Sequence, residues 1–124
     1  MKLANNISCF ILVSLASLVL SNSVLAADYA GNGSITILSP TDNAILKSDM
    51  ENKLDFNVKL GADGNHVHIY VDDQSPIVVR DVGHCPCSIV LPKLSSGKHT
   101  IVVKEAMTSH ALTGLQGSVT VTVK

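Results

Sequence analysis

The sequence predicts an all-β fold, an antiparallel β-sandwich of seven to eight short strands that follows a signal peptide. Two observations carry this prediction. Several segments alternate between apolar and polar residues with a period of two, which is typical of strands that are buried on one face. Clusters of turn-forming residues separate these segments, and no helical spacing of apolar residues is found beyond residue 26.

The central strand is predicted at residues 66–71, where the alternation is strict. One face of this strand is apolar and the other is polar, formed by Val67, Ile69 and Val71 against His66, His68 and Tyr70. The apolar face belongs in a core, so the two histidines must lie on the opposite face. Their spacing places the two Cβ atoms ~7 Å apart, which lets both rings reach one point.

Residues 1–26 are predicted to be a secretory signal peptide. Lys2 supplies a positive charge, Phe10 to Leu20 is an apolar run, and Ser23-Val24-Leu25-Ala26 offers small residues for cleavage. We therefore expect a lead-in over 27–33, a single domain over 34–124, and export to the periplasm or the exterior.

The charge balance restricts the partners. Lys2 is one of 9 basic residues, so cleavage leaves 8 against 10 acidic ones, a net charge of −2. A nucleic-acid partner would call for a basic patch, and no polybasic run is available for a membrane surface. The partner predicted is another exported protein or a small ligand, with no nucleic acid and no membrane span after cleavage.

The remaining strands are predicted from the same alternation. We expect Val71 to pair with Ile77 across a turn, and residues 107–116 to form a loop. The predicted strands are 34–38, 44–46, 54–60, 66–71, 77–82, 88–91, about 98–106 and 118–123. The predicted core residues are Leu54, Phe56, Val58, Val67, Ile69, Val71, Ile101 and Val103.

The number and spacing of the strands favour a sandwich of the immunoglobulin or fibronectin type III kind. The segment ILSPTDNA at 37–44 resembles the SPxDGA opening of bacterial Ig-like domains, and LSSGKHTIVV at 94–103 resembles their LxxGxHTLxV strand. This resemblance implies an Ig-like fold, and its motifs specify no activity. Sandwiches of this kind bind through the loops at one end or through an open sheet edge, which favours an exported binding or accessory module.

A narrower similarity is to periplasmic copper-resistance sandwiches of the CopC type. These pair an SPxDGAxL start with a late DxHxxxG segment that carries copper ligands. The run from His110 to Gly114 matches the second part of that pattern, whereas Thr108 stands where the pattern has Asp. The predicted mature start, Ala27-Asp28, has no histidine to act as the N-terminal ligand. The similarity implies copper binding that involves His110.

Strand directions group the candidate metal ligands at one end of the sandwich. Imidazole and thiolate ligands suit copper or zinc rather than calcium or magnesium. The candidate metal ligands are His66, His68, His84, Cys85, Cys87 and His110, whereas His99 falls at the opposite end.

Each candidate also has a structural interpretation. His66 and His68 would be ordinary on an exposed sheet face, and His110 would be ordinary in a solvated loop. Cys85 and Cys87 could form a disulfide, stay free or carry out redox chemistry. His99 is predicted to be a corner residue that hydrogen-bonds nearby backbone.

The sequence has no nucleophile elbow, no phosphate-binding glycine loop and no recognisable pair of acid/base carboxylates. The first hypothesis is therefore a non-catalytic binding module, and the second is a periplasmic copper or zinc binder.

Overall fold

The structure is a computed structural model that describes residues 32–124. The predicted signal peptide and most of the predicted lead-in lie outside the described residues. The all-β prediction is confirmed, because every regular element described is a strand. The eight strands are β1 (Ser34–Ser39), β2 (Ala44–Leu46), β3 (Lys53–Lys59), β4 (His66–Val71), β5 (Ile77–Val79), β6 (Cys87–Val90), β7 (Gly97–Ala106) and β8 (Leu112–Val123). The described residues contain no helix long and apolar enough to cross a membrane.

The strands form two sheets that pack face to face. One sheet has the order β1-β3-β6, and the other has the order β2-β8-β7-β4-β5. All pairs are antiparallel as predicted, except that β2 runs parallel to β8. The exception arises because the chain crosses from β1 in the first sheet to β2 in the second without reversing its direction. The crossing segment is Pro40 to Asn43. Hydrogen bonds from Asn43 N–H to the Thr120 carbonyl and from Thr120 N–H to Asp42 Oδ1 fix this crossing.

The core lies between the sheets and is almost entirely aliphatic. Alternate residues of each strand enter it, as the period of two requires. Of the eight predicted core residues, seven are buried and Val58 is partly buried against them. Among the described residues, Phe56 is the one aromatic ring in the core, and the other large side chains of the core include Leu54, Ile69 and Ile101.

The pairing of β4 with β5 differs from the prediction by two residues. Ile77 pairs with Ile69 rather than with Val71, and β5 ends at Val79 instead of Val82. A shift of two keeps every side chain on its predicted face, because the side-chain period is also two. It does change the neighbours along the strand. Continuing the register from the Val67–Val79 pair places Arg80 beside His66.

The predicted loop at 107–116 is wrong over its second half. β8 begins at Leu112, which pairs with Ala106 of β7, so the connection is a tight turn over 107–111. Gly114 interrupts the alternation there and has a φ of 99°, which glycine adopts without steric cost. Hydrogen bonding to β7 overrides the weak local strand propensity of this segment. The short connection holds His110 close to the sheet.

His99 has the corner role predicted for it. Its Nδ1 lies 2.6 Å from Asp72 Oδ2, and its Nε2 lies 2.7 Å from the Ser95 carbonyl oxygen. Both partners are acceptors, so both ring nitrogens donate and the ring is an imidazolium. The hydrogen bond to Asp72, followed by the one to Ser95, raises the pKa of His99. Burial would raise the pKa of Asp72, but hydrogen bonds from His99 and from Thr100 N–H lower it overall.

We predict that the His99–Asp72 pair stabilises the fold most between about pH 4 and about pH 6.5. Because the pKa of His99 is raised, its contribution is complete below about pH 6.5 and is lost as pH rises through its folded-state pKa. Because the pKa of Asp72 is lowered, its contribution is lost as pH falls through its folded-state pKa. Urea denaturation of the wild type and His99→Gln from pH 4 to 9 should show the largest difference near pH 5 to 6. A difference that does not change with pH would contradict this account. The exposed His84→Gln variant is the control.

We predict that Ile69→Ala lowers the free energy of unfolding by ~2–5 kcal/mol, because it leaves a cavity between the sheets. Ile45→Ala makes the same chemical change at a side chain that is 63% exposed, so it should cost less than about 1 kcal/mol. Chemical denaturation of both variants at one pH makes the comparison. Equal losses at the two positions would place Ile69 outside the core.

Candidate metal centre

β4 directs His66 and His68 to the outer face of the five-stranded sheet, opposite the core row of Val67, Ile69 and Val71. This face is covered at the histidines, which corrects the interpretation that they are exposed. His66 is fully buried and His68 is 6% exposed. The cover comes from His110, whose ring centroid lies 4.6 Å from that of His66 and 5.3 Å from that of His68.

His110 reaches this position because of the tight turn between β7 and β8. Hydrogen bonds from His110 N–H to the Met107 carbonyl and from Met107 N–H to the Ala111 carbonyl close the turn. His110 has a φ of 69°, in the left-handed region that few residues other than glycine adopt. Histidine is among the residues that enter this region more readily than most. The backbone of the turn therefore fixes where the ring can lie.

The three rings meet at three nitrogen atoms. His66 Nε2 lies 3.0 Å from His68 Nε2 and 3.2 Å from His110 Nδ1, and the third side of the triangle, from His68 Nε2 to His110 Nδ1, is 3.1 Å. These are the described side chains in which three or more potential ligand atoms lie within 4.8 Å of one another.

Hydrogen bonds cannot satisfy all three sides of this triangle. A ring nitrogen carries either a proton or a lone pair, so a given nitrogen cannot donate to one neighbour and accept from the other. At most two of the three contacts are hydrogen bonds, and the third joins two lone pairs or two N–H groups. A cation that accepts all three lone pairs removes this conflict.

The triangle has the dimensions of a metal-binding face. Nitrogens 3.0 to 3.2 Å apart subtend about 90–105° at an ion that lies about 2.0–2.1 Å from each of them. Such angles belong to three ligands on one side of an ion, which leaves at least one position for a further ligand. The donor set and its geometry therefore fit a transition metal.

The surroundings keep two of the rings ready to bind. Burial first, and then the nearby His110, lowers the pKa of both His66 and His68, with Arg80 adding to the effect. Lower pKa values favour the neutral imidazoles, which have the lone pairs that a metal needs. Asn65 Oδ1 lies 3.0 Å from His66 Nδ1 and accepts a hydrogen bond from its N–H, so that His66 Nε2 presents its lone pair to the triangle.

Two further side chains contact the rings. Tyr70 Oη lies 3.4 Å from His68 Nδ1, and Arg80 Nη2 lies 3.4 Å from His110 Nε2. The Lys104 ammonium lies 5.0 Å from the centre of the Tyr70 ring. Sequence reasoning did not include Asn65 or Arg80. Asn65 could have been found because it directly precedes His66 in the sequence. Arg80 could not, because its place beside the histidines depends on the register between β4 and β5.

The structure brings together three of the six predicted ligands. His84 is exposed in the connector after β5. Cys85 and Cys87 are joined to each other by a disulfide, with their Cα atoms 4.4 Å apart. Cys87 pairs with Phe56 in the three-stranded sheet, whereas the histidine triangle lies on the five-stranded one. Metal binding by the two sulfurs and His84 stays a prediction.

A separate depression of about 330 Å³ is lined by polar loops and contains no histidine. It lies between the β2–β3 loop and the segment after β6, and its lining residues are Ser48, Asp49, Met50, Glu51, Asn52, Leu91, Pro92 and Lys93. It is not the better candidate, because it lacks the convergent ring nitrogens of the triangle.

Comparison with known proteins identifies the fold class. The chain is similar to a solved fibronectin(III)-like module of CbhA from Clostridium thermocellum, with 20% identity and a TM-score of 0.56 over 73% of this chain and 95% of that one. The chain therefore has an immunoglobulin/fibronectin type III-like sandwich fold, as its strand pattern predicts. No protein-family model and no curated protein matches the sequence.

Two looser likenesses carry no argument about function. A lytic polysaccharide monooxygenase of Jonesia denitrificans is 19% identical, with a TM-score of 0.46 over 68% of this chain and 60% of that one. The SGBP-B protein of a Bacteroides ovatus mixed-linkage glucan utilization locus, solved with a heptasaccharide, is 14% identical, with a TM-score of 0.43 over 73% of this chain and 24% of that one.

Proposed function

We propose that this protein is an exported, non-catalytic binding module whose ligand is a divalent transition-metal ion, copper or zinc. His66 Nε2, His68 Nε2 and His110 Nδ1 would hold the ion. The observation that carries the proposal is the triangle of ring nitrogens with sides of 3.0 to 3.2 Å. The proposal combines the two hypotheses from the sequence, a binding module and a metal binder, since the metal is the ligand that the module binds.

The donor set narrows the choice of metal. Three imidazoles without a carboxylate are poor ligands for calcium or magnesium, which prefer oxygen. Copper(II) and zinc(II) both accept imidazole, and copper(II) binds a given nitrogen site more tightly. All-imidazole ligation also suits an oxidising compartment, where cysteine thiols are lost to disulfides such as Cys85–Cys87.

Binding is favoured over catalysis by what surrounds the triangle. Hydrolysis at a metal ion usually needs a nearby general base. The described side chains whose polar atoms reach the three rings are Asn65, Tyr70 and Arg80, and none of them is a carboxylate. A reaction on a metal-bound water would have no carboxylate base among these neighbours.

We predict that the metal-free protein binds one equivalent of zinc(II) or copper(II). Competition titration against a chelating dye, together with the metal content of the purified chain, would measure the stoichiometry and affinity. His66→Gln, His68→Gln and His110→Asn should each weaken binding by at least about tenfold, because each removes a ligand. Asparagine tolerates the left-handed backbone, so His110→Asn should preserve the turn.

The controls separate the three-histidine site from the larger predicted set. His84→Gln and the double variant Cys85→Ser/Cys87→Ser should bind metal as the wild type does. Saturating metal should also raise the melting temperature of the wild type and leave that of His110→Asn almost unchanged, because only binding to the folded state stabilises it. Equally weak metal binding by the wild type and all variants would contradict the metal site and leave a sandwich module of another binding function.

A further inference from the structure

Arg80 stands at the edge of the histidine triangle and has no role in holding the metal. It follows β5, on the strand that borders β4, and its Nη2 lies 3.4 Å from His110 Nε2. Its side chain is exposed, so it can change rotamer without disturbing the core. A guanidinium group has five donors and no acceptor, and it stays charged at any pH in question.

Metal binding changes what Arg80 meets. While His110 Nε2 has a lone pair, Arg80 can donate to it. When His110 Nδ1 gives its lone pair to a metal, the remaining proton of the neutral ring must sit on Nε2. The Arg80 Nη2–H and the His110 Nε2–H are then two donors that face each other across 3.4 Å. An acceptor is needed between or beside them.

The net positive charge of the metal-loaded site favours an acceptor that is negatively charged. Three neutral imidazoles leave the full charge of a divalent ion in place, and Arg80 adds one more positive charge. Among the described residues, the buried acid is Glu105, and it is turned away from this face. Glu105 alternates to the inner side of β7, where its carboxylate accepts hydrogen bonds from Gly61 N–H and the Thr113 hydroxyl. Its packing against Gly64 leaves no room for a Cβ at that glycine.

From these observations we infer that the site takes up an anion together with its metal. The anion occupies a coordination position that the three histidines leave open and accepts a hydrogen bond from Arg80. Its chemical class is a small monovalent anion or a carboxylate, because both offer an acceptor that can reach a metal and a guanidinium at once. This inference rests on the proposed metal-binding function. It adds that metal and anion affinities are coupled through Arg80.

The test uses copper(II)-loaded protein and azide, in a chloride-free and non-coordinating buffer. Azide binding is followed by the azide-to-copper charge-transfer absorption. We expect azide to bind the wild type and to bind Arg80→Gln at least about fivefold more weakly, at the lower end of typical coupling factors. Arg80→Lys keeps the positive charge but not the planar guanidinium group, so its loss of azide affinity should be intermediate.

Lys98→Gln is the matched control, since it removes the same charge at the start of β7, the end that holds His99. It should leave azide affinity unchanged. A second arm displaces azide with acetate. Displacement at similar concentrations in the wild type would support a carboxylate as the natural ligand, and resistance to acetate would support a small inorganic anion.

The outcomes distinguish this inference from the function on which it rests. Equal azide affinity in the wild type and Arg80→Gln, or no azide binding to the loaded wild type, overturns the role of Arg80 and leaves the metal site intact. Failure of the wild type to take up copper at the loading step overturns the proposed function, and the coupling with it, before any azide is added. Circular dichroism of Arg80→Gln should match that of the wild type.

Discussion

The hydrogen-bonded ladder between β4 and β7 is the interaction on which the rest of the structure depends. It pairs His66 with Ala106 at one end and Val71 with Ile101 at the other. Inner-facing residues of both strands form the centre of the core. The same register sends His66 and His68 outward at the end where β7 turns into β8. A slip of one residue would bury the histidines between the sheets and expose the valines and isoleucine.

The two ends of this ladder show how environment decides the chemistry of one residue type. At one end, His99 has two acceptors and becomes a cation that fastens Asp72 to the corner. At the other end, His66 and His68 face each other and His110, and burial together with these neighbours lowers the pKa of His66 and His68. The His99 end therefore depends on a protonated ring, whereas the triangle at the other end presents the lone pairs of neutral rings. Neither outcome follows from the residue type alone.

Period-two alternation was enough to predict the sandwich, because burial of one face of a strand is written locally in the sequence. It also predicted that His66 and His110 share an end, since antiparallel strands return the chain to its starting level. Strand register and strand ends, which depend on how the strands pair, were harder to predict. The position of Arg80 depends on a register two residues from the expected one, and the early start of β8 depends on its bonding to β7. The sequence alone also left open whether Cys85 and Cys87 would present thiols or bond to each other.

The left-handed backbone at His110 has a consequence for which residues this position accepts. A position with a φ of 69° accepts glycine, asparagine, aspartate and histidine far more readily than other residues. Of these, histidine alone supplies an imidazole to the triangle. Replacement by glycine or asparagine would suit the turn at least as well, but it would remove one nitrogen from the triangle and uncover His66 and His68. The backbone of the turn therefore does not require histidine at this position, and only the contacts of the ring with His66 and His68 distinguish it from the other residues that the turn accepts.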